Sequence, residues 1–100
     1  MTEKSIAEIQ SLTGASLLEF GISWCGYCQN AQPIIASALK DYPKVTHLQI
    51  EDGKGQHLGR LYSVKLWQTL IFLSHGKEVS RLVRPTNVRE ISDLLDQITQ

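Results

Sequence analysis

The segment Ser16–Ile22 (SLLEFGI) is almost continuously apolar, broken by a single carboxylate at Glu19. A strand with one wet face alternates apolar and polar residues. A run without alternation has to be covered on both faces, inside a sheet with helices above and below it. Beyond this run the period changes: Ala31, Ile34, Ile35, Ala38, Leu39 and Tyr42 recur at helical spacing, and the pattern stops before Pro43. This predicts a long amphipathic helix starting at Cys25. Pro33 lies inside it, where it removes a backbone donor, crowds the Gln29 carbonyl and predicts a kink just after the cysteines.

The other segments fit around this pair. Ser5 and Glu8 form a capping box for a short helix over Ser5–Leu12, ended at Gly14. Val45–Ile50 reads as a strand, Gln56–Tyr62 as a short helix after a Gly53/Gly55 turn, and Thr69–Leu73 as a second strongly apolar strand. Ser74-His75-Gly76-Lys77 reads as a hairpin turn into Glu78–Val83, after which Asn87 and Glu90 cap a last helix with Ile91, Leu94, Leu95 and Ile98 on one face. The order α-β-α-β-α-β-β-α predicts an α/β fold, with parallel pairing in the first half, a closing antiparallel hairpin and a mixed four-stranded sheet flanked by helices.

At 100 residues, 42% of them hydrophobic, the chain is read as one domain over 1–100 with its own core. Disorder, collagen and coiled coil are excluded by the same composition. Ten Lys+Arg balance ten Asp+Glu, which argues against nucleic acid as the main partner. No apolar run approaches a membrane span, and Met1–Gln10 has no signal-peptide core, so a soluble cytoplasmic protein is expected.

Its two cysteines, Cys25 and Cys28, stand in Trp24-Cys25-Gly26-Tyr27-Cys28. In a chain without an export signal such a pair is more often redox-active or metal-binding than a staple. His47, His57 and His75 are scattered, with no second short-spaced pair, which disfavours a closed zinc site, and no metal is assigned. At a helix start, unpaired N–H groups and the macrodipole favour thiolate, making Cys25 the candidate nucleophile. Cys28, one turn further on, is placed to attack a mixed disulfide on Cys25. A buried pair of inert thiols is the alternative. Glu19, a carboxylate in an apolar strand, is expected to have a raised pKa and to act as base for Cys28. The other reading gives it an edge position in water or a lysine partner.

These residues resemble the thioredoxin family over almost the whole chain. The resemblance rests on the acid within Leu17–Phe20, Trp24-Cys25-x-x-Cys28, Pro33 beyond the second cysteine, Thr69 opening an apolar strand, Gly76 in the hairpin and the closing helix. It implies a thioredoxin-like three-layer fold, without the family's first strand because the chain is shorter ahead of Trp24. The function it implies is exchange with protein disulfides, with a thioredoxin-reductase-type electron donor and no dissociable cofactor. By position, Cys25 would attack, Cys28 resolve, Glu19 serve as the buried acid, and Trp24 belong to the substrate-facing surface.

Several positions depart from the family. Where it carries a cis-proline before the Thr69 position, this chain has Trp67-Gln68; a non-proline cis bond costs ~2.5–4 kcal/mol, so Gln68 is expected to be trans. The dipeptide Gly26-Tyr27 is similar to that of periplasmic disulfide isomerases, which implies a less reducing pair. His47 replaces the usual lysine near the buried acid, either titrating with Glu19 or lying on the surface. Arg84 replaces a glycine near the cysteines, where it would stabilise the Cys25 thiolate, narrow the groove or simply be solvated. Lys54–Arg89 holds seven Lys/Arg against one acid, Glu78, the composition of an acidic partner's docking face or of a solvated hairpin. Two rival functions stay open: an adaptor that holds one partner through Trp67 and Gln68, and a dimer sharing a metal or cluster through the cysteines.

Overall fold

Strand β1 (Ala15–Gly21) runs through the middle of a four-stranded sheet. On one side β2 (Thr46–Glu51) pairs with it in parallel, and on the other β3 (Thr69–Ser74) pairs antiparallel. The edge strand β4 (Lys77–Val83) returns antiparallel along β3. This is the architecture of a computed structural model that describes residues 5–22, 24–52 and 57–99. Helices α1 (Ile6–Gln10), α2 (Gly26–Leu39), α3 (Leu58–Leu61) and α4 (Val88–Thr99) complete the predicted element order. Among the described residues no helix is long and apolar enough to cross a membrane.

The unbroken apolar run has the predicted cause: Ser16–Phe20 are all buried because β1 is covered on both faces. Alternation divides its side chains. Leu17, with Leu70 and Phe72 of β3, packs on Ala31, Ile35 and Ala38 of α2 and on Ile91, Leu95 and Ile98 of α4. Leu18 and Phe20 point the other way, into Ile9 of α1, Ile50 of β2, Ile71 and Leu73 of β3, and Leu58 of α3. Burial of each large side chain stabilises by roughly 1.5–3 kcal/mol. By the same alternation Glu19 lies on the Leu17 face, beneath the start of α2, in a central strand and not at an edge.

Boundaries move by a few residues. Helix α1 is shorter than expected, but its capping box forms: the Glu8 N–H donates to Ser5 Oγ, and the Ser5 N–H to the Glu8 carboxylate, both at 3.1 Å. Helix α2 starts at Gly26 because Cys25 is its extended N-cap, and it passes through Pro33 to Leu39. Helix α3 is reduced to Leu58–Leu61; the expected Gly53/Gly55 turn and Gln56 lie outside the described residues. The β3–β4 hairpin turns on His75 and Gly76, both left-handed (φ 51° and 78°), the combination that matches strand twist in a two-residue turn. For α4, the Glu90 N–H donates to Asn87 Oδ1 at 3.0 Å and Glu90 Oε1 accepts the Asn87 N–H at 3.2 Å, as predicted.

Candidate functional site

The turn out of β1 delivers Cys25 to the N-terminus of α2. Its Sγ takes the place of a capping oxygen and accepts the Cys28 N–H at 3.4 Å. Both cysteines are in the dithiol form and nearly covered, at 5% and 6% exposure. Their environments pull them apart. Burial works to raise Cys25, but hydrogen bonds from the Cys28 side chain and from the Cys28 and Tyr27 backbone, with the charge of Arg84, leave it below the ordinary thiol range. Burial, the hydrogen bond given to Cys25 and the negative charges of Cys25 and Glu19 push Cys28 up to about 11, against a pull from the Ile22 backbone.

Beneath Cys28 lies Glu19, 5% exposed. Its Oε1 meets Nε2 of His47 on β2 at 2.7 Å, and its Oε2 accepts Nε2 of Gln68 at 3.1 Å and Nε2 of Gln32 on α2. Burial raises this carboxyl, but the hydrogen bonds of His47, Gln68 and Gln32 and the attraction of His47 outweigh it and hold Glu19 below the usual carboxylate range. The raised pKa expected from sequence is therefore corrected: burial was legible in the apolar run, the donors were not. His47 is a partner of the buried acid, at 25% exposure.

Gln32 also donates to the Cys28 carbonyl at 3.3 Å, and Gln49 Nε2 donates to Gln32 Oε1 at 3.3 Å. Together with Gly21, Ile22 and Ile50 these groups line a cleft of about 470 Å³ that holds both Glu19 and Cys28 on its wall. Gly21 is the residue that sequence reasoning passed over. A Cβ there would sit 2.6 Å from Cys28 Sγ and 3.0 Å from Gln68 Oε1, so the absent side chain makes room for the sulfur. A glycine inside an apolar strand is the available signal of such close approach. Gln32 was legible only as the residue one turn beyond Cys28.

Gln68 is trans, as expected, since no peptide bond among the described residues is cis, but its φ of 58° is left-handed. Its side chain is fully buried, and its carbonyl accepts the Arg84 N–H at 2.7 Å. Around Cys25 the surface is aromatic. Trp24 is 66% exposed and meets Trp67 edge to face at 4.8 Å, while the Trp67 Nε1–H is held by the Asp52 carbonyl at 2.9 Å. Arg84 lies over the exposed Tyr27 ring, 3.8 Å from its centre. Beside Cys25, a Cβ on Gly26 would meet nothing within 4 Å. Of the residues singled out from sequence, Trp24, Gly26, Tyr27, Trp67 and Arg84 lie at the rim of the sulfur pair, whereas Gln68, expected to face substrate, is instead fully buried beside Glu19, where its amide is committed to the carboxylate.

The Thioredoxin family model matches residues 2–97. Thioredoxin H-type 1 of Nicotiana tabacum is 34% identical over 67 residues, and the chain spans 53% of that protein's length. The thioredoxin of Chlamydia trachomatis serovar D is 34% identical over 71 residues, which are 71% of this chain and 70% of that protein. Among solved structures, thioredoxin 2 from Pseudomonas aeruginosa PAO1 in its reduced form is similar at a TM-score of 0.86 and 44% identity, over 97% of this chain and 90% of that one. Since the family match crosses every strand of the sheet and all four helices, the chain belongs to the thioredoxin family.

Proposed function

We propose that this protein is a cytoplasmic thiol-disulfide oxidoreductase that reduces or exchanges protein disulfides through Cys25 and Cys28. In this reading it takes its electrons from a thioredoxin-reductase-type donor and contributes to cell redox homeostasis. The supporting observation is the opposite displacement of two adjacent thiols, with Cys25 lowered at a helix cap and Cys28 raised to about 11 behind it.

The Cys25 thiolate attacks one sulfur of the substrate disulfide; that S–S bond breaks, and the other sulfur leaves as thiolate and is protonated by water. A mixed disulfide remains on Cys25. Its formation removes both the charge on Cys25 and the hydrogen bond that held the Cys28 proton, which are two of the causes that keep Cys28 protonated. The Cys28 proton then leaves to water in the cleft that Cys28 and Glu19 both line, because Glu19, held below the usual carboxylate range by its three donors, is too weak a base to keep it. The Cys28 sulfur attacks Cys25 Sγ, the mixed S–S bond breaks, the second substrate sulfur leaves as thiolate and is protonated by water, and the protein ends as the Cys25–Cys28 disulfide. Two electrons have moved to the substrate, and the donor dithiol returns them. Trp24, Gly26, Tyr27, Trp67 and Arg84 form the surface on which the substrate chain lies, and Gln68, fully buried, supports it from beneath through its bonds to Glu19 and to the Arg84 backbone.

Insulin reduction with dithiothreitol as donor tests this. The wild type accelerates it, Cys25→Ser abolishes the acceleration, and Cys28→Ser stalls as a mixed disulfide detectable by mass. A wild type no faster than dithiothreitol alone contradicts the proposal and leaves a binding module of this family.

A further inference from the structure

Arg84 is held in place with unusual completeness for a surface arginine. Its backbone is left-handed (φ 51°) and tied by its N–H to the Gln68 carbonyl at 2.7 Å. Its Nε–H donates to the Trp67 carbonyl at 3.2 Å, and the face of its guanidinium rests on the Tyr27 ring. Stacking occupies the face of the group and leaves its in-plane donors free. Among the described residues, neither terminal nitrogen has a hydrogen-bond partner, and Arg84 has no acidic partner. A planar, pre-ordered fork of N–H donors therefore stands at the rim of the Cys25 site with nothing to bind, and that geometry matches a carboxylate.

We propose that Arg84 is a specificity residue that receives a substrate carboxylate lying next to the attacked disulfide, so that the preferred substrates are disulfides flanked by Asp or Glu. The inference rests on the exchange activity proposed above. The sequence composition leans the same way: residues 54–89 carry seven Lys/Arg and a single acid, with Arg81 paired to Glu78 and Arg89 to Asp93 while Arg84 has no acidic partner among the described residues.

The test compares two cyclic disulfide peptides that differ only by Asp or Asn beside one cysteine, with dithiothreitol as donor. For the wild type, kcat/KM is expected to favour the Asp peptide about fivefold at low salt, the worth of one partly screened ion pair. High salt shrinks the ratio toward unity, and Arg84→Gln removes it. Any change that Arg84→Gln makes through the Cys25 thiolate acts on both peptides and cancels in the ratio. Should that variant not fold, the wild-type ratio and its salt dependence still decide. Equal turnover of both peptides by the wild type, or a ratio that survives Arg84→Gln, overturns the assignment while leaving exchange intact. Failure to turn over either peptide overturns the exchange reading and this inference together.

Discussion

Gly21→Ala sets two opposing effects against each other at one atom. The Gly21 backbone is not left-handed, so alanine fits its conformation and, by restricting the unfolded chain, would on its own stabilise by about 0.4–1 kcal/mol. The added Cβ, however, lands 2.6 Å from Cys28 Sγ and 3.0 Å from Gln68 Oε1, and neither neighbour is free to retreat. Cys28 is fixed in the first turn of α2, and Gln68 is buried with its Nε2 committed to Glu19. Overpacking of this kind costs about 1–3 kcal/mol, so the steric effect wins. The net loss should be about 0.5–2 kcal/mol, at roughly 4–8 °C in Tm per kcal/mol for a chain of this size. Gly26→Ala is the matched control: its Cβ meets nothing within 4 Å, and at the first position of a helix it should be neutral or stabilising by up to ~1 kcal/mol. Urea unfolding of both variants in reducing buffer measures the two signs. A Gly21→Ala protein as stable as the wild type would show that Cys28 and Gln68 can give way, and would refute the packing argument.

Two further outcomes follow from the same contacts. Glu19 has a folded pKa below its ordinary value, so its ionised network contributes stability that is fully present above the ordinary carboxylate range. That contribution is lost as pH falls through the lower folded value. Glu19→Gln should therefore cost about 1–3 kcal/mol at neutral pH, because an amide turns a donor toward the donors of Gln32, Gln68 and His47; the difference from wild type narrows on acidification, read by unfolding at stepped pH. Asn87→Ala removes the acceptor for the Glu90 N–H and should cost about 0.5–2 kcal/mol, visible as a lower Tm without change in insulin reduction.

The sheet was legible because its evidence is local. An apolar run, a switch to helical spacing and a turn pair at His75-Gly76 each lie within a few consecutive residues. The charge state of Glu19 was not legible, because its donors come from α2, β2 and the loop before β3, at separations of 13, 28 and 49 residues. Periodicity reports how covered a residue is, but not which distant side chain turns toward it. Gln68 shows the same division. Its trans peptide followed from the energetics of a single bond, whereas its left-handed φ belongs to a loop packed on Arg84, whose own φ is left-handed as well.

The central claim is that Cys25 and Cys28 act as one redox unit, and equilibration in defined thiol buffers, quenched by alkylation and read by mass, tests it most directly. The account predicts a single reversible two-electron transition in which both cysteines are masked together, with a midpoint between about −270 and about −180 mV. Two cysteines that titrate independently, or a pair that never forms the disulfide, would contradict it.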